Sequence, residues 1–203
     1  MRPDLDIVAS LVPRGTRVLD LGCGDGSLLE HLIRERGCQG QGVEISREGF
    51  HACVTRGVPV VELDIDQGLA DFRDRSFDVV VLSQTLQATR RPAYVLRELM
   101  RVGGFGIVSF PNFAHWPVRA GLALRGRMPE SRALPYSWHE TPNIHLCTIR
   151  DFEQLIRVEG IAATRRILLS STGGAARPRV ARRPNVLAAG AVYGLVDGRD
   201  AQN

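Results

Sequence analysis

Short aliphatic runs alternate along the chain with segments whose apolar residues recur every three or four positions. The second spacing marks one face of a helix, and a continuous short apolar run suits a strand buried on both sides. Asp4–Leu11 is predicted as a lead-in helix ended by Pro13 and Gly15. Arg17–Leu21 is a strand that runs straight into Gly22-Cys23-Gly24-Asp25-Gly26. Ser27–Arg36 follows as a helix with Leu28, Leu29, Leu32 and Ile33 on one face, closed by Gly37. Gly42–Ile45 is the next strand, and Ser46 caps a helix bearing Phe50, Cys53 and Val54 that stops at Gly57. Val58–Leu63 and Phe77–Ser83 are the third and fourth strands, the latter holding the unbroken run Val79-Val80-Val81-Leu82.

Pro92 opens a helix with Val95, Leu96, Leu99 and Met100, followed by a Gly103-Gly104 turn and a strand over Phe105–Phe110. Residues 111–147 read as an irregular, lid-like insertion rich in Pro, Trp, His and Arg. Thr148 and Asp151 form a capping box for a helix with Phe152, Leu155 and Ile156 that ends at Gly160. Arg166–Ser170 and Val186–Leu195 are the last strands, flanking a basic loop at 171–185. The expected architecture is α/β: one domain over 1–203, with a mostly parallel sheet, helices on both faces and an antiparallel edge.

Composition narrows the chemistry. All 26 basic residues are arginine and there is no lysine. No Schiff base can form and no Walker-type phosphate loop can be completed. Arginine stays protonated, so a general base must come from the five histidines, a carboxylate, cysteine or tyrosine. The longest apolar stretch, Val186–Val196, is broken by Gly190 and Gly194 and falls short of the roughly 20 residues of a membrane span. Asp4 and Asp6 stand where a signal peptide would be basic and then apolar, so the expected location is cytoplasmic, with no membrane partner.

The net charge of +4 sits in one place. Arg177, Arg179, Arg182 and Arg183 lie in the basic loop without an acid, and the rest of the chain balances. That loop is either a solvated segment or an arm for docking onto an anionic surface; no basic helical stripe or aromatic alternation supports nucleic-acid binding. Cys23, Cys38, Cys53 and Cys147 form no C-x-x-C pair and no zinc-like cluster, so structural thiols and no metal are expected.

The strongest local signal is the glycine turn between the first strand and its helix. Closely spaced glycines let a ligand approach the backbone, and ligands of parallel sheets sit beyond the carboxyl ends of the strands. The third glycine comes one residue too early for a dinucleotide fingerprint, and Ser27 holds its place. Asp20, just before the turn, suits a cationic ligand group rather than a pyrophosphate. Glu44 ends the second strand, where a carboxylate accepts both hydroxyls of a ribose. Asp64 and Ile65 follow the third strand and suit a purine. Together they describe a site for adenosine joined to an amino acid: S-adenosylmethionine, or S-adenosylhomocysteine.

On VLDLGCGDG (18–26), GVEIS (42–46), ELDID (62–66) and FDVVVLS (77–83), the chain resembles the class I S-adenosylmethionine-dependent methyltransferases. On SQTLQATRRP (83–92), SFPNFAHW (109–116) and LPYSWHETPNIHLCTIRDF (134–152), it resembles more narrowly the MetW family of methionine biosynthesis. The resemblance implies a seven-stranded Rossmann-like sheet. It implies cofactor binding at Asp20, Gly22, Cys23, Gly24, Gly26, Glu44, Ile45, Asp64, Ile65, Ser83 and Gln84. It also implies a partner, a homoserine O-acyltransferase of the MetX type whose activity such proteins support.

Whether methyl transfer occurs is a separate question. The sulfonium supplies the electrophile, so alignment dominates, and only an oxygen or carbon acceptor calls for a strong base. Ser83-Gln84-Thr85-Leu86-Gln87 offers polar but neutral groups after the fourth strand. Candidate bases lie in the insertion at Tyr136, His139, Glu140 and His145, with His115 beside Trp116 as a packing residue. His31 and His51 fall on predicted helices as surface residues. Two functions stay open: an accessory subunit of homoserine acylation, or a small-molecule methyltransferase.

Overall fold

A computed structural model describes residues 2–128, 130–131 and 134–202. Pro129, Arg132 and Ala133 of the 111–147 insertion lie outside the described residues. In chain order the elements are α1 (Pro3–Leu11), β1 (Arg17–Leu21), α2 (Ser27–Arg36), β2 (Gln39–Glu44), α3 (Arg47–Arg56), β3 (Val60–Glu62) and β4 (Phe77–Ser83). Then follow α4 (Pro92–Val102), β5 (Gly103–Pro111), α5 (Trp116–Arg125), α6 (Ile149–Val158), β6 (Ile161–Leu169), α7 (Pro184–Leu187) and β7 (Gly190–Asp197). The strands form one seven-stranded sheet in the order β3-β2-β1-β4-β5-β7-β6. Pairs from β3 to β5 are parallel, while β7 runs antiparallel to both β5 and β6. This is the class I methyltransferase architecture.

The unbroken apolar run of β4 has a direct cause. Successive strand residues face opposite sides, and both sides are covered. Val80 and Leu82 join Leu96, Leu99, Phe152 and Ile156 of α4 and α6 on one face. Val79 and Val81 join Val8, Leu29, Leu32 and Cys53 of α1, α2 and α3 on the other. The same alternation in β1 puts Leu19 and Leu21 with the first group and Val18 with the second. Asp20 is therefore the polar residue on the α1–α2 side, at the carboxyl end of the strand. Chain order reverses here: β1 pairs with β2 on one side and β4 on the other, which is where α/β sheets open a crevice.

Several boundaries differ from the sequence reading: β2 begins at Gln39 rather than Gly42, and β3 covers only Val60–Glu62. Gly103 and Gly104 do not turn but begin β5, with Gly103 opposite Phe77. A Cβ on Gly103 would meet Val80 Cγ2 at 2.5 Å, so the glycine serves close strand packing. The insertion is not wholly irregular, since Trp116–Arg125 is α5, with Pro117 in its first turn. β6 begins at Ile161 rather than Arg166; its Thr164, Arg165 and Arg166 are exposed, as an outermost strand tolerates. Residues 184–187 are a helical turn and β7 starts only at Gly190.

Candidate functional site at the glycine turn

Gly22, Gly24 and Gly26 all have positive φ, at 73°, 56° and 74°. At Gly22 a Cβ would lie 2.6 Å from Thr85 Cγ2, and at Gly26 one would lie 2.8 Å from Cys53 Sγ. The turn is thus fixed by conformation and by contact with the loop after β4 and with α3. Its amides at Gly22 and Cys23 both donate to the Val43 carbonyl, at 2.8 and 3.1 Å. Glu44 holds it from the next strand: Oε2 accepts the Gly24 amide and Oε1 accepts the Ser46 amide, each at 2.8 Å. Ser46 in turn caps α3 by accepting from Gly49, as its position predicts.

A cavity of about 950 Å³ opens beside this turn, walled by Asp20, Gly22, Gly24, Asp25, Ser83 and Gln84, with Arg2 at one side. Asp20 is 2% exposed, and its Oδ1 has no hydrogen-bond partner. Burial, then the nearby Glu44, pushes its carboxyl up to about 7, against a lowering pull from Arg2. An unpaired buried carboxylate is costly and favours a cation beside it. Across the cavity mouth, Arg56 bridges Asp25 at 2.8 Å and Glu30 at 2.9 Å, tying α3 to the start of α2.

The structure gathers some predicted residues and separates others. Asp20, Gly22, Cys23, Gly24, Ser83 and Gln84 all line this cavity. Glu44 touches it indirectly, through the Gly24 amide. Ile45 is 61% exposed just beyond β2. Asp64 bends its own loop, accepting from the Asp66 amide at 2.9 Å and from Gln67 Nε2 at 3.3 Å. Ile65 packs against the core. Arg2 was missed, because a lone arginine before a helix carries no signal of where that helix docks. His31, expected on the surface, is half-buried and lines the cavity.

The candidate bases do not converge on Asp20. Tyr136 lines a neighbouring cavity. His139 is exposed with its ring 5.4 Å from that of Trp138, and Glu140 accepts from Ser137 Oγ at 2.8 Å. His145 is exposed and is tied by its backbone amide to the Gln87 carbonyl at 2.9 Å. His115 is half-buried, which lowers its pKa by desolvation. The four arginines of the basic loop are exposed and make no ion pair among the described residues. No described helix is long and apolar enough to cross a membrane.

Comparison with known proteins agrees with the fold and narrows it. A putative S-adenosylmethionine-dependent methyltransferase from Listeria monocytogenes superposes with a TM-score of 0.68 at 14% identity, over 96% of each chain. One from Mesorhizobium loti gives 0.67 at 18% identity, over 94% of this chain and 95% of that one. The bifunctional methionine biosynthesis protein MetXA/MetW of Rhodopirellula baltica is 37% identical over 162 residues, 75% of this chain and 26% of that protein. A ubiquinone biosynthesis O-methyltransferase of Cereibacter sphaeroides is 32% identical over 173 residues, 78% of this chain and 65% of that enzyme. The chain thus spans about a quarter of the first relative and just under two thirds of the second. The profile of the family described as methionine biosynthesis protein MetW matches residues 2–195, and this chain belongs to the MetW family.

Proposed function

We propose that this chain binds S-adenosylmethionine at the glycine turn and acts with a homoserine O-acyltransferase of the MetX type to support homoserine acylation. The observation that carries the cofactor assignment is Asp20 Oδ1, buried and unpaired beside a glycine cradle. It fits the ammonium of the cofactor's amino-acid end, which restores the ionised carboxylate. Glu44 fits the ribose hydroxyls: two backbone amides fix its plane, and each oxygen keeps a free lone pair. Gly22, Cys23, Gly24 and Gly26 allow the close backbone approach, Ser83 and Gln84 close the far wall, and Ile45, Asp64 and Ile65 are assigned to the purine end. Support for the partner is the Rhodopirellula relative, in which MetXA and MetW are joined in one protein.

When bound, the cofactor supplies an electrophilic methyl group on a sulfonium. The residues of this chain bind and orient it, and the candidate bases of the insertion, His139, Glu140 and His145, do not line this cavity. That favours the accessory reading. Catalytic methylation of a small molecule is the second reading, supported by a second cavity that shares Arg2 and Gln84 with the first. Mixing this chain with the acyltransferase and measuring homoserine acylation, with and without S-adenosylmethionine, tests the proposal. A stable complex with a changed acylation rate is expected. No complex and no rate change would eliminate the accessory role.

A further inference from the structure

We infer that a second cavity, adjoining the first, binds a small zwitterionic amino acid, with Gln87 and Asp4 facing its ammonium group and Arg2 its carboxylate. The inference rests on the reading above for the first cavity's ligand and goes beyond it.

The second cavity measures about 520 Å³ and is lined by Gln87, Asp4, Arg2, Gln84, Tyr136 and Asn143, among others. That volume suits a small ligand. Gln87 is 4% exposed; its Nε2 donates to the Gln84 carbonyl at 2.7 Å, while its buried Oε1 has no partner. The remaining capacity of this side chain is as an acceptor, so the matching ligand group carries N–H or O–H. Asp4, 7% exposed, adds a carboxylate to the same wall and selects a cation among such groups. Arg2 sets Nε 3.4 Å from Asp4 Oδ1, which leaves the fork of its guanidinium for a carboxylate. The wall therefore offers both halves of an amino acid a counterpart.

Two further features make this a built site. Gln84 has φ 58°, a left-handed conformation that is costly outside glycine. Its amide is held to the Ser109 carbonyl at 2.9 Å, and Gln84 and Arg2 line both cavities. The amides of Ile144 and His145 both donate to the Gln87 carbonyl, at 2.8 and 2.9 Å, which fastens the insertion over the cavity. Any effect that one occupant exerts on the other through these two shared residues is reciprocal, by the same factor.

Calorimetry on the full chain tests this, titrating L-homoserine and L-methionine with and without saturating S-adenosylhomocysteine. At least one amino acid is expected to bind, with N-acetylhomoserine and 3-aminopropan-1-ol weaker by about tenfold or more. Gln87→Met should weaken the amino acid by a similar factor and leave S-adenosylhomocysteine unchanged. Ser171→Trp, at an exposed position on the cavity rim, should do the same without disturbing the core. Absence of binding at about 10 mM, or undiminished binding in both variants, overturns the inference. Amino-acid binding without any for S-adenosylhomocysteine would instead sink the cofactor assignment and leave this cavity standing.

Discussion

Cys53 Sγ lies 3.6 Å from Cys23 Sγ, beneath the glycine turn, and donates to the Gly24 carbonyl at 3.3 Å. Both thiols are buried, and burial first of all raises both pKa values. Burial likewise pushes Cys147 up to about 12. Thiolate is the reactive form, so iodoacetamide at pH 8 is expected to label these three cysteines far more slowly in the native protein than in urea. Mass spectrometry reads the result. Rapid native alkylation of Cys23 or Cys53 would contradict this packing.

The pair also explains why the turn needs glycine at its last position. Gly26→Ala places a Cβ 2.8 Å from Cys53 Sγ at a φ of 74°. The left-handed conformation alone costs about 1–2 kcal/mol in an L-residue, and the overlap adds to it. Denaturant unfolding should show a loss of about 2–4 kcal/mol. Cys53→Ala removes the colliding sulfur, so the double mutant should recover the steric part and keep the conformational part. Additive losses would place the strain elsewhere.

Much of this was legible because local rules and global packing agree. β1, α2 and β4 fall at the predicted residues, since each is bounded by a glycine or polar turn and buried on a clear pattern. The Thr148 cap is present, with Oγ1 accepting the Asp151 amide at 3.2 Å. Errors arose where tertiary contact overrides local signal: Gly103-Gly104 reads as a turn until β4 lies beside it, and polar Thr164-Arg165 falls outside the predicted strand until it joins an outer one. Asp20, on the cavity wall, and Glu44, which holds the turn, were visible as acids at the carboxyl ends of their strands. Arg2 and the unpaired Gln87 were not, because their roles depend on where α1 and the insertion dock.

Asp20 predicts a pH dependence opposite to that of an ion-paired carboxylate. Its folded pKa, about 7, lies above the ordinary value of 3.8. Between those values the folded state holds a proton that the unfolded state has released. Stability of the ligand-free protein therefore falls as pH rises from about 4 to 7, by up to roughly 4 kcal/mol from this group. Asp20→Asn should flatten that slope and raise the melting temperature at pH 8. The same change should cost S-adenosylmethionine at least about tenfold in affinity. In the wild type, binding should strengthen as pH rises through 7, since the proton competes with the cation. A variant with unchanged affinity would remove Asp20 from the site.

Glu44→Gln separates holding the turn from holding a ligand. The wild-type carboxylate accepts two amides, Gly24 on Oε2 and Ser46 on Oε1. A glutamine of the same shape accepts only one, and its NH₂ then faces an N–H donor. Glu44 is 8% exposed, so water does not replace the lost bond. The expected stability loss is about 1–3 kcal/mol. The ribose hydroxyls lose an acceptor as well, so S-adenosylmethionine should bind at least about tenfold more weakly. Ser46→Ala provides the control: it removes the α3 cap, costs about 1 kcal/mol, and leaves both carboxylate oxygens in place. If Ser46→Ala weakened the ligand as much as Glu44→Gln, Glu44 would serve the turn alone, and the hydroxyl assignment would fail.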